Sequence, residues 1–184
     1  VKILSVGSKT FLSGEYLAVT GGPALVVTTE PSFKLYVFSD PNNIKNQTEN
    51  ISVSIRPLSQ AGFHPESPVG ILLKKELPTL SLTMQNQIHV GFWDPFQQDE
   101  QWKNKNILGG FGASSAEYFL IKYLLNELKT NANWIENKNI ELNLEDRLKS
   151  EWLEWVKEYN QISGASGADL TAHYLGNISF FWKN

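Results

Sequence analysis

Gly109-Gly110-Phe111-Gly112-Ala113-Ser114-Ser115-Ala116 runs directly into Glu117-Tyr118-Phe119-Leu120-Ile121. Three glycines fall within four residues, two serines follow, and an apolar segment long enough for a helix comes next. Glycine has no Cβ, so such a loop can take positive φ and let a ligand approach the backbone closely. A helix that starts just behind the loop turns its unpaired N–H groups and the positive end of its dipole toward whatever lies in front. That combination suits a phosphate. Ser114 and Ser115 would donate hydroxyls to phosphate oxygens or to a phosphate-bound magnesium ion. The same residues also suit a tight turn with a serine N-cap. It is not a Walker loop, because no Gly-Lys-Ser/Thr follows.

Outward from the loop the chain divides into two kinds of pattern. Apolar residues at 116, 119, 120, 123, 124 and 128 predict a largely buried helix over 115–129. A second helix is predicted over 144–159, with Leu148, Trp152, Trp155, Val156 and Tyr159 on one stripe and the tryptophan pair in the core. A run of small residues over 163–168 leads to Asp169, a short helix to Tyr174 and a strand over 178–182. The first half reads as β. Strands are predicted over 1–6, over 24–29 and 33–38 with a short connection around Pro31, and over the strictly alternating 51–55. Residues 80–84 and 87–92 read as a hairpin, 69–76 as a short helix, and 40–50 and 94–106 as polar loops. The expected architecture is one α+β domain.

Composition narrows the function classes. The chain has 184 residues with 41% hydrophobic and 12% aromatic content, enough for a sizeable core. A net charge of -3, with no basic run longer than Lys74-Lys75, speaks against a nucleic-acid partner. Cysteine is absent, so neither a disulfide framework nor a thiolate site can form. His64, His89 and His173 lack metal-ligand spacing. No stretch reaches the roughly 18 apolar residues of a membrane span, and no signal peptide is visible. The expected location is the cytoplasm.

Two further motifs give the glycine loop its context. Lys9 stands in Gly7-Ser8-Lys9-Thr10-Phe11-Leu12-Ser13-Gly14-Glu15-Tyr16, and Asp169 closes Ser163-Gly164-Ala165-Ser166-Gly167-Ala168-Asp169. Alone, Lys9 reads as a solvated lysine and Asp169 as a helix cap. In this order the three motifs resemble the GHMP kinase superfamily, most of all its mevalonate and phosphomevalonate kinases. The first family motif runs roughly Gly-Lys-x-x-Leu-x-Gly-Glu-Tyr/His, then a Gly/Pro turn and an apolar strand. Lys9, Leu12, Gly14, Glu15, Tyr16, Gly22, Pro23 and Ala24 fit it. The second, Gly-Leu-Gly-Ser-Ser-Ala, is matched at Gly110, Gly112, Ser114 and Ala116, with Phe111 for the leucine and Ala113 for the first serine.

The resemblance implies a ribosomal protein S5 domain 2-like fold for residues 1–184, as the N-terminal, ATP-binding domain of such a kinase. It also implies a C-terminal domain outside this chain. The implied activity transfers the γ-phosphoryl of ATP, with Mg²⁺, to a hydroxyl or phosphate of a mevalonate-type small molecule. Lys9 and Asp169 would be catalytic. Gly109, Gly110, Gly112, Ala113, Ser114 and Ser115 would hold the nucleotide, and Ser114 the magnesium ion. Glu15, Tyr16 and Ser166 would meet the substrate. A homodimer stays open, and the chain alone is expected to be weakly active or inactive. The alternative is a truncated or degenerate relative that binds a nucleotide or partner without catalysis, an alternative that Ala113 and the missing domain favour.

Overall fold

A computed structural model describes residues 1–39, 53–99, 112–130, 144–165, 167–176 and 178–181. Strand β1 (Lys2–Ser13) pairs antiparallel along almost the whole of β2 (Ala24–Phe38). Residues 24–38 thus form one strand where the sequence pattern suggests two. The pairing slips between Gly7 and Ser8: Gly7 faces Ser32 and Ser8 faces Thr29, which leaves Glu30 and Pro31 outside the ladder. Proline has no N–H to donate, so an irregularity of this kind is where a paired strand tolerates it. Directly after the slip, Ser8 and Lys9 are both buried. A short helix, α1 (Glu15–Val19), leaves the end of β1.

On its other edge β2 pairs with two strands. β4 (His89–Trp93) runs beside residues 34–38, and β5 (Ile178–Phe181) beside residues 24–27. The two-residue β3 (Arg56–Pro57) extends the sheet from β4. Every pairing is antiparallel, in the order β1-β2-β4-β3 with β5 beside β2.

The expected hairpin over 80–92 is half right. Its second half is β4, but its first half is a helix, α3 (Leu82–Gln87), after a 3₁₀ turn at Leu77–Thr79. Ser81 caps α3 by accepting from the Met84 N–H, and a serine cap typically contributes about 1 kcal/mol. The alternation in 51–55 also gives no strand in its described part; residues 53–55 precede β3 without ladder pairing. The helix expected over 69–76 is α2 (Pro68–Glu76), capped by Ser67. Within 94–106, α4 (Pro95–Gln98) forms under an Asp94 cap. The loop expected over 40–50, residues 131–143, and Gly109, Gly110, Phe111 and Ser166 lie outside the described residues.

Two long helices and a short one complete the layer: α5 (Ala113–Thr130), α6 (Leu144–Ser163) and α7 (Ala168–Leu175). The helix predicted over 115–129 is therefore α5. Its Tyr118, Ile121 and Leu124 are fully buried in one core with Phe33, Leu35 and Val37 of β2. Burial of such side chains contributes about 1.5–3 kcal/mol each. Trp155 of α6 meets Phe119 edge-on at 5.9 Å, and Tyr159 meets Tyr118 at 4.9 Å, which puts the described part of the aromatic stripe in the core. Glu158 draws α2 and α5 toward α6, with Lys75 Nζ at 2.5 Å and Lys122 Nζ at 2.7 Å. Gly167 (φ +85°) opens α7, where a Cβ would come 2.4 Å from Val156 Cγ1 of α6. Only glycine allows so close an approach at that φ.

Candidate functional site

The site begins where β1, α5 and α7 meet. Lys9 comes from β1 just beyond the register slip, and Asp169 from the first turn of α7, where the helix dipole favours a carboxylate. Lys9 Nζ lies 2.8 Å from Asp169 Oδ1. The lysine is 4% exposed, and the Asp169 side chain is 24% exposed, so the carboxylate is the member within reach of a ligand. The ammonium also sits 4.3 Å from the centre of the Phe11 ring. Both contacts offset the cost of burying an ammonium group.

Gly112 seats the start of α5 on this pair. Its φ is +88°, and a Cβ on it would stand 2.8 Å from Lys9 Cγ and 3.2 Å from His173 Nε2. The Gly112 carbonyl accepts the Ala116 N–H at 2.8 Å, which starts the helix. Ser114 is exposed on the first turn, and its hydroxyl bonds with that of Tyr159.

Ser115 corrects the sequence reading. Its side chain is buried, with Oγ 2.9 Å from the Gly112 carbonyl and 2.9 Å from His173 Nε2. A hydroxyl held in this way is not presented to a phosphate or a metal. Glu15 and Tyr16 are exposed on α1, and the structure does not bring them into the Lys9–Asp169 contact. Ala113 and Ser114 border a cavity of about 490 Å³, within the usual size of a small-molecule site. Phe63, Phe92, Arg56, Asp94 and Glu117 share its wall, whereas Lys9 and Asp169 do not. Burial, helped by the Asp94 charge, pushes the Glu117 carboxyl up to about 7.

His173 is the site residue that the sequence reading missed. It is buried one helical turn after Asp169, with Nδ1 3.1 Å from the Gly7 carbonyl and Nε2 3.3 Å from that of Gly112. Burial pushes its pKa down to about 4. The available signal was its spacing: a histidine four residues after Asp169 on a helix shares a face with it.

Among the described residues no three His, Asp or Glu side chains gather as a metal cage. Nor, among the described residues, is any helix long and apolar enough to cross a membrane.

No protein-family model matches the chain, and no curated protein sequence matches it. A solved structure does: the mevalonate kinase of Methanococcus jannaschii, with a TM-score of 0.57 over 98% of this chain at 14% identity. The match takes in 53% of that kinase, so the chain spans about half its length. At such identity the likeness is one of fold, an α+β architecture with an antiparallel sheet compatible with that of the kinase.

Proposed function

We propose that residues 1–184 form the N-terminal, nucleotide-binding domain of a GHMP-type kinase, with a ribosomal protein S5 domain 2-like fold. The observation that supports it best is the convergence of Lys9, Gly112 and Asp169 from three distant parts of the chain. The reaction is transfer of the γ-phosphoryl of ATP to a hydroxyl or phosphate of a mevalonate-type small molecule in the cytoplasm. The fold likeness to a mevalonate kinase supports the substrate class.

The residues suit the parts of such a reaction. Phosphoryl transfer asks the protein mainly for positioning and charge stabilisation. The glycine loop, Gly109 to Gly112, lies ahead of the 18-residue α5, and Gly112 already has the backbone that a close approach requires. Backbone N–H groups there, including that of Ala113, would hold the phosphates. Ser114 would hold Mg²⁺, which neutralises charge on the phosphates when bound. Asp169 would take or polarise the proton of the substrate hydroxyl. Lys9, 2.8 Å from that carboxylate, would balance its charge and stabilise the transferring group. Glu15, Tyr16 and Ser166 would contact the substrate.

One observation favours a second reading, binding without catalysis. Ala113 supplies no hydroxyl and Ser115 is enclosed, so of the three positions only Ser114 has an exposed one, and it already bonds with Tyr159. Calorimetry of ATP binding with and without Mg²⁺ tests the nucleotide site. The proposal expects Mg²⁺-dependent binding that is lost in Gly112→Val; binding that ignores the substitution contradicts it.

A further inference from the structure

We propose that His173 is a positioning residue, one that holds the end of the glycine loop and the Lys9–Asp169 pair in a single frame. The inference rests on the nucleotide-site reading above. Three segments must agree for phosphoryl transfer: the strand bearing Lys9, the loop ahead of α5, and the helix bearing Asp169. The His173 ring is bonded to the first and to the first turn of α5 directly behind the second, and is covalently part of the third. Nδ1 lies 3.1 Å from the Gly7 carbonyl on β1, and Nε2 lies 2.9 Å from Ser115 Oγ on α5. The ring also packs 6.4 Å from that of Phe119, centre to centre.

The chemistry selects one form of the ring. A neutral imidazole has one N–H and one lone pair. The Gly7 carbonyl can only accept, so Nδ1 carries the proton and donates to it. Nε2 then accepts from the Ser115 hydroxyl. The single Ser115 proton is shared with the Gly112 carbonyl, also 2.9 Å from Oγ, and that carbonyl accepts the Ala116 N–H at 2.8 Å as well. Each buried group thereby has a partner of the right kind. The charged groups close to the ring are Lys9 on β1 and Asp169 on its own helix. They oppose one another, and full burial decides in favour of the neutral ring.

An apolar residue of similar size would fill the space and break both bonds. The end of the loop could then shift relative to Lys9 and Asp169 without unfolding the domain. Asparagine would restore one bond, since its Nδ2–H stands about where the imidazole Nδ1–H does.

The test combines Mg·ATP calorimetry on the wild type, His173→Leu and His173→Asn with ¹⁵N NMR of the wild-type imidazole. The expected result is a loss of affinity of roughly tenfold in His173→Leu, the weight of a buried hydrogen bond. His173→Asn should stay within about threefold of wild type. NMR should show a neutral Nδ1–H tautomer between pH 5.5 and 8, with an Nε2 resonance that moves when Mg·ATP is added. A wild type that binds Mg·ATP while His173→Leu binds it equally well overturns the positioning role alone. So does an imidazole that titrates near the ordinary 6.5, or one unmoved by saturating Mg·ATP. A wild type that binds no Mg·ATP at all overturns the nucleotide reading, and this inference with it.

Discussion

Lys9 Nζ and Asp169 Oδ1 lie 2.8 Å apart, although about 160 residues separate them in the chain. The pair has an energetic consequence that is separable from catalysis. Asp169→Ala leaves a 4%-exposed lysine without its carboxylate. Removing one partner of a buried pair costs more than removing both. Asp169→Ala should therefore destabilise the fold by about 2 kcal/mol, a value reduced for the partial exposure of the aspartate. Lys9→Met combined with Asp169→Leu should recover much of that loss. Urea denaturation of the two variants checks the ordering.

Gly112→Val should abolish Mg·ATP binding in a protein that still folds. The new Cβ would press on Lys9 Cγ and His173 Nε2, and a φ of +88° suits a β-branched residue poorly. Strain of this kind costs on the order of 1–3 kcal/mol. Calorimetry beside a thermal melt separates lost binding from lost structure.

The three motifs were legible in the sequence because each couples an unusual composition to a required chemistry. Gly112 stands where the backbone takes a positive φ against Lys9, and Lys9 in turn meets Asp169. The structure adds what composition cannot carry. Ser115 reads as a ligand donor until its burial is known, and His173 reads as a lone histidine until β1 and α5 are folded against it. The hairpin over 80–92 failed for a local reason: Leu80, Leu82 and Met84 alternate as a strand would, yet the Ser81 cap starts a helix among them. The split of β2 failed because Pro31 reads as a terminator, and nothing in the sequence announces the slip opposite Gly7 that accommodates it.

Half-buried Glu117 and buried His173 give stability opposite dependences on pH. The Glu117 carboxyl is raised to about 7 by burial and by Asp94. The folded state therefore holds its proton more tightly than the unfolded chain, and stability falls as pH rises from about 4.5 through 7. His173 is depressed to about 4, chiefly by burial. The unfolded chain takes up its proton first, so stability falls as pH drops from about 6.5 toward 4. In the wild type the two trends oppose one another over much of the same range. Glu117→Gln should expose the histidine trend, with melting temperature falling on acidification, and His173→Asn should expose the glutamate trend. Melts between pH 4 and 8 read both.

Trp155 is a core residue, edge-on to Phe119 and 6% exposed. Trp155→Ala should cost about 3–5 kcal/mol, as large-to-small aromatic changes do. The Mg·ATP affinity of the folded fraction should stay within about threefold. Chemical denaturation and calorimetry together distinguish this packing role from a ligand platform.

Phosphoryl transfer by the full-length protein tests the central claim most directly. The measurement is steady-state kinetics with Mg·ATP against mevalonate, phosphomevalonate, homoserine and galactose, for the wild type and Asp169→Ala. The account predicts ATP-dependent phosphorylation of a mevalonate-type substrate, with kcat lower by on the order of a hundredfold or more in the variant and KM for ATP little changed. An Asp169→Ala protein with wild-type kcat, or a wild type that phosphorylates none of the four, would contradict it.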